Sequence, residues 1–279
     1  WGDLLMSVTQ RIRPYEINKG ETNSVYNKWQ KRLYNAIVKN DRKNLKLKRV
    51  IEQIIADFDA IPIDETIKKP KVGVVGEILV KFHPDANNNI VDVIENEGAE
   101  AVMPGLADFM LYCLYNNNFK HENLGTKAST ARLCNLAIWG IESYRKYAEK
   151  LMKANPKFAS RAPGHIREIA DGAKGVLQLG HCTGEGWFLT GEMIELIKSG
   201  VPNIACVQPF ACLPNHVTGK GMIKELRRQY PQANIVAVDY DPGASEVNQL
   251  NRLKRMITVA LENMRREEEL DKIASEAKE

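Results

Sequence analysis

Cys212 stands in "QPFACLPNHVTGKG" (208–221), in a loop between Pro209 and Pro214 that follows the short apolar run Asn203–Val207. A thiol just past a strand can bind a metal or act as a nucleophile; it also suits a small packing position. His216, in the same segment, can serve as acid, base or hydrogen-bonding group, or simply as a structural residue near a helix start. Gly219 and Gly221 flank Lys220 and could turn N–H groups toward an anion or form a flexible connection. The P-loop pattern is not met, because Pro214 stands where it needs glycine and Gly221 where it needs Ser or Thr. Three other segments hold comparable residues. "GEILVKFHPDANNN" (76–89) carries Glu77 and His83, and "GHCTGEG" (180–186) carries His181, Cys182 and Gly184. "DYDPGAS" (239–245) carries Asp239 and Asp241. Asp241-Pro242 reads as a helix cap with proline at the first helical position, while Asp239 is open to a chemical role.

The elements that would position these loops alternate. "KVGVVG" is short, apolar and β-branched, as a buried parallel strand is. "EAVMP", "GVLQLG", "NIACVQP" and "NIVAVDY" read as further strands, each followed by an amphipathic helix. Residues 1–66 read as helical, with Pro14 interrupting the first helix and Ser24 capping the second. The chain thus divides into a helical segment (1–66), a first Rossmann-like α/β lobe (67–160) and a second one with a C-terminal helix (161–279). The linker is expected at Pro156–Gly164. The fold class is α/β, with two Rossmann-like parallel-sheet lobes after a helical N-terminal segment. In such sheets ligands collect beyond the carboxyl ends of the strands, where all four loops lie.

Composition excludes several classes. The 279 residues carry 39 Lys and Arg against 35 Asp and Glu, a net charge of +4 without a basic stripe, which argues against nucleic acid as a partner. No apolar run reaches the roughly 18 residues of a membrane span, and a cytoplasmic location is expected. Five cysteines at irregular spacing do not form a disulfide framework, and no Cys-x-x-Cys pair supports a closed metal site. Cys206 lies within a strand and reads as core; Cys113 and Cys134 read as helix packing. The chain opens on "WGDLLMSVTQRIRPYE", in mid-helix and without methionine, and reads as a piece of a longer protein.

"VGVVGEILVKFHPDANN", "GEGWFLTGEMIELI", "QPFACLPNHVTGKGMIKELRRQYP" and "VAVDYDPGASEVNQLNRLKRM" resemble the C-terminal part of the large proteins related to 2-hydroxyacyl-CoA dehydratase and its activase. The similarity runs over residues 1 to 265. It implies kinship with dehydratase and benzoyl-CoA reductase subunits, anaerobic enzymes that hold a 4Fe-4S cluster through cysteines from separate domains. Cys212 then corresponds to the last cluster cysteine, and the remaining ligands lie upstream of Trp1. Cys182 departs from the pattern and takes no ligand role. The resemblance implies a fragment, inactive alone, of an electron-transfer dehydratase or reductase acting on an acyl-CoA-type substrate. ATP would bind only on an upstream activase region or a separate activator. Cys212, His216, Glu77, Asp239, Gly184 and Gly219 are the candidate cofactor-binding residues, with Cys212 the metal ligand. The alternative is a scaffold or partner-docking domain that keeps the fold without the chemistry.

Overall fold

A computed structural model describes residues 1–41, 45–241, 243 and 245–276. In chain order the helices are α1 (Gly2–Ile12), α2 (Glu21–Val38), α3 (Leu47–Asp59), α4 (Ile78–Phe82), α5 (Ile90–Asn96), α6 (Leu106–Leu124), α7 (Ala128–Ala154), α8 (Ile166–Lys174), α9 (Gly186–Lys198), α10 (Leu213–Thr218), α11 (Ile223–Gln229) and α12 (Glu246–Glu276). The strands are β1 (Lys71–Gly76), β2 (Glu100–Val102), β3 (Asn203–Pro209) and β4 (Asn234–Tyr240). The chain forms two compact units. One combines residues 1–67 with 103–169, the other 68–102 with 170–279.

The second unit holds an all-parallel sheet in the order β2-β1-β3-β4. This is an α/β fold of Rossmann-like kind with a helical N-terminal region. Val72, Val74 and Val75 of β1, and Ile204, Ala205, Cys206 and Val207 of β3, are fully buried. Both strands are apolar on both faces because helices cover both sides of a parallel sheet. That same property joins the two expected lobes into one sheet. Strand β1 pairs with β2 on one edge and with β3 on the other, in the register Gly76↔Val207. A two-stranded sheet of β1 and β2 alone would leave the β1 edge open. The units divide at 67/68, 102/103 and 169/170, so residues 103–169, expected mostly in the first lobe, group with the helical segment, since the chain leaves the sheet after β2 and returns to it at β3.

The other unit is helical. Val8, Ile12, Ile54 and Phe58 pack around Trp29, Met152 and Phe158, all nearly or fully buried. Phe158 lies within the stretch expected as a linker; its burial makes Pro156–Gly164 part of this core rather than a free connection. Helix α6 has no cap of its own, and Asp3 of α1 supplies one. Its two carboxylate oxygens accept the Leu106 and Ala107 N–H groups at 3.0 and 2.9 Å.

Three local expectations differ from the structure. Helix α2 begins at Glu21, so Ser24 is inside it. Instead, the Glu16 carboxylate accepts the Gly20 and Thr22 N–H groups at 2.7 and 2.8 Å. "GVLQLG" (175–180) is not a strand. The Val176 and Leu177 N–H groups bond back to the Ala173 carbonyl at 2.9 and 3.0 Å and finish α8. Helix α12 begins at Glu246, beyond Asp241, and Pro242 lies outside the described residues.

Candidate functional site

In the order β2-β1-β3-β4, the neighbours β1 and β3 form a topological switch point, because the crossovers leave them in opposite directions. Two loops meet at its carboxyl end. On the β1 side, Gly76 turns with φ +148°, and a Cβ there would stand 1.8 Å from the Val207 carbonyl oxygen. Only glycine lets the two backbones approach so closely. Glu77 follows and caps α4, its carboxylate accepting the Val80 N–H at 2.9 Å. On the β3 side the chain turns through Phe210 and Ala211, closed by the Cys212 N–H donating to the Pro209 carbonyl at 3.2 Å. Ala211 has φ +62°, a left-handed conformation that costs a residue with a Cβ about 1–2 kcal/mol.

A buried polar cluster joins these loops. Asn215 is fully buried. With its amide turned to satisfy both ends, Nδ2 donates to Glu185 Oε2 at 2.8 Å and Oδ1 accepts the Glu77 N–H at 2.9 Å. The Cys212 Sγ lies 3.2 Å from the same amide. Glu185, 6% exposed, accepts the Ile78 N–H on Oε1 at 3.1 Å. Burial raises the Glu185 carboxyl above its ordinary value, and the Glu77 charge adds to that; the Ile78 N–H and the Lys81 charge oppose it. Burial also raises the Cys212 thiol, which the Asn215 backbone N–H partly offsets while Glu185 and Glu77 add to the rise. Behind the cluster lies a buried ion pair, Lys81 Nζ to Glu192 Oε1 at 2.9 Å.

A second cluster sits between β3 and β4. Gln208 is fully buried and its Nε2 donates to Asp239 Oδ1 at 2.6 Å. Lys220 Nζ is 3.2 Å from Asp239 Oδ2, and His216 Nε2 is 3.8 Å from Oδ1. The His216 Nδ1 lies 2.9 Å from the Cys212 carbonyl oxygen, so the ring bridges the Cys212 backbone and Asp239. Burial alone would raise the Asp239 carboxyl. The Gln208 amide, Lys220 and His216 outweigh it and hold Asp239 below its ordinary value.

Four of the residues singled out in the sequence therefore fall into two linked clusters, Glu77 with Cys212 and His216 with Asp239. Gly184, left-handed at φ +59°, touches this region through Pro214, which a Cβ there would meet at 3.0 Å. Gly219 has a different role. Its N–H donates to the Asn215 carbonyl at 2.9 Å, and a Cβ would stand 2.6 Å from that oxygen. It is a close-packing position rather than an exposed anion donor. His83 and His181 are exposed. Cys206 is core, its thiol raised by burial to about 12. None of the five cysteines, all among the described residues, is in a disulfide; Cys134 is half-buried, and Cys113 is exposed on α6 rather than packed.

No family model matches this chain, and neither a curated protein nor a solved structure matches it. Glu185 and Asn215 of the first cluster and Gln208 of the second carry little sequence signal. Glu185 has one, an acidic residue between two glycines immediately before a helix.

The donor set can be tested against an iron–sulfur cluster, which needs several thiolates converging on it. Among the described residues no three His, Cys, Asp or Glu side chains converge as a metal-binding group. Cys212 is half-exposed at the switch point, whereas Cys206 is sealed in the sheet. These residues do not fit a complete cluster; they fit one thiol donor. Among the described residues, no helix is long and apolar enough to cross a membrane.

Proposed function

We propose that this chain is a dehydratase- or reductase-type domain in which Cys212 donates one thiolate to a 4Fe-4S cluster whose other ligands come from elsewhere. The observation that carries this reading is the position of Cys212. It is the half-exposed thiol at the carboxyl end of β3, beside the switch point where α/β sheets bind their ligands. When bound, the cluster would supply low-potential electron transfer to an acyl-CoA-type substrate, with electrons arriving from an ATP-driven activase.

What this chain's own residues do is more limited. Asn215 and Glu185 fix the loop that presents Cys212. Burial, with a smaller contribution from the Glu185 and Glu77 charges, favours the Cys212 proton on sulfur, and a bound metal would supply the positive charge that favours the thiolate instead. His216, through the Cys212 carbonyl and Asp239, ties that loop to β4.

A docking role without the chemistry is the second reading. Phe210 and Leu213, 68% and 73% exposed on either side of Cys212, favour it as apolar contact residues. The two readings separate after anaerobic reconstitution, with iron and sulfide, of the protein that carries this chain together with the other cluster ligands, mixed with a trace of chemically reduced activase-type ATPase and excess reductant. A visible chromophore that bleaches only when ATP is added supports the first. A chromophore insensitive to ATP, or none, supports the second.

A further inference from the structure

We infer that Glu185 is the positioning residue of this site: a buried latch that ties the β1 loop to the Cys212 loop and fixes the direction of the thiol. This deepens the reading of Cys212 as a donor and rests on it. Glu185 occupies the N-cap position of α9, where a carboxylate normally accepts N–H groups of its own helix, yet its side chain makes no such bond. It is turned away instead, toward a neighbouring element. Oε1 takes the first N–H of α4, at Ile78, and Oε2 takes the Asn215 amide.

Asn215 in turn reaches the Glu77 N–H and stands 3.2 Å from Cys212 Sγ. Three segments that are distant in sequence (77–78, 185 and 212–215) thus converge on one carboxylate that is 6% exposed. Burying such a group is costly unless both oxygens are partnered, and here both are. Gly184 and Gly186, left-handed at φ +59° and +48°, flank it and let the loop bring the carboxylate inward.

The arrangement is also directional. Glu185 can only accept, so Asn215 must present Nδ2 to it and Oδ1 to the Glu77 N–H. A glutamine at 185 cannot satisfy both ends. If its carbonyl accepts from Ile78, its amide N–H₂ faces Asn215, which must flip and then offer a donor to the Glu77 N–H, leaving that group only its bond to the Val207 carbonyl at 2.9 Å. Glu185→Gln therefore repairs one end of the latch while breaking the other, and Glu185→Ala breaks both.

The test is site-resolved alkylation of the cluster-free protein with iodoacetamide, read by mass spectrometry. Each rate is extrapolated to the fully ionised thiol so that changes in ionisation drop out. Losing the bonds of a buried carboxylate opens the loop, and the Cys212 rate should rise about tenfold in Glu185→Ala. Glu185→Gln should fall between wild type and Glu185→Ala, and Asn215→Ala should add little on the Glu185→Ala background. Cys206, in the adjacent strand, is the internal control and should stay unreactive in every variant. An unchanged Cys212 rate in both Glu185 variants overturns the latch. So does a parallel rise at Cys206, which would mean general loosening. Should Glu185→Ala fail to fold, the Glu185→Gln rate alone decides. Iron content is not read in this experiment, so the latch can stand while the cluster assignment fails.

Discussion

Ala211 offers a sharp test of how the Cys212 loop is built. It is the third residue of the turn closed by the Cys212 N–H and the Pro209 carbonyl, and its φ of +62° is the place of glycine in a type II turn. Ala211 is exposed, so removing its methyl group forfeits no packing. Glycine relieves about 1–2 kcal/mol of left-handed strain. Against this, it loses roughly 0.5–1 kcal/mol to the greater freedom of the unfolded chain. Ala211→Gly should therefore stabilise the sheet unit by about 0.5–1 kcal/mol. For a unit of this size that corresponds to a melting point raised by about 1–4 °C. The assay is urea unfolding, with the midpoint rising at unchanged slope. Ala211→Val, β-branched at the same φ, should move the midpoint the other way. A glycine variant less stable than wild type, or a valine variant equal to it, would refute a left-handed turn here and with it the direction assigned to Cys212.

Other outcomes follow from the same geometry. Lys81→Met removes the ammonium facing Glu192 in a pair exposed only 3% and 2%, and should cost about 3–5 kcal/mol, whereas Lys81→Met with Glu192→Leu should be near neutral by the same urea assay. Glu185, raised above 4.5, binds its proton more tightly when folded, so its contribution to stability is full at low pH and declines as pH climbs from 4.5 through the folded value. Asp239, held below 3.8, contributes fully above that pH and loses its contribution as pH falls through the folded value. Urea midpoints against pH should flatten above 4.5 in Glu185→Gln and below 3.8 in Asp239→Asn. Gly76→Ala should yield no folded sheet unit by circular dichroism, since its Cβ would meet backbone at 1.8 Å.

The sheet was largely legible in the sequence because its central strands are buried on both faces. "VGVV" and "NIACV" are apolar without alternation, and little else in a chain of this length reads so. What the sequence left open was which strands pair. The β1–β3 register joins residues more than a hundred positions apart, and no local pattern encodes it. "GVLQLG" shows the opposite failure, where a strand-like composition was overridden by the preceding helix completing its own bonds.

The strand-end rule located Glu77, Cys212, His216 and Asp239, because it depends only on where a strand stops. It could not locate Asn215, which lies in α10 beyond the strand end, or Gln208, a polar residue buried within β3 beside β4. Asn215 reads locally as a polar helix residue. Its role emerges only when Glu185 and the Glu77 N–H are placed at its two ends. Gly219 misled for a related reason: glycine is required there by the closeness of the Asn215 carbonyl, not by an anion.

The central claim is that Cys212 gives a thiolate to a cluster, and iron content tests it most directly. The protein carrying this chain would be purified anaerobically as wild type and as four single Cys→Ser variants, with iron counted per chain beside a melting curve. Cys212→Ser should lose iron while its melting point stays near that of wild type, and Cys113→Ser, Cys134→Ser and Cys182→Ser should keep theirs. Normal iron in Cys212→Ser, or loss of iron in Cys182→Ser instead, would contradict the account.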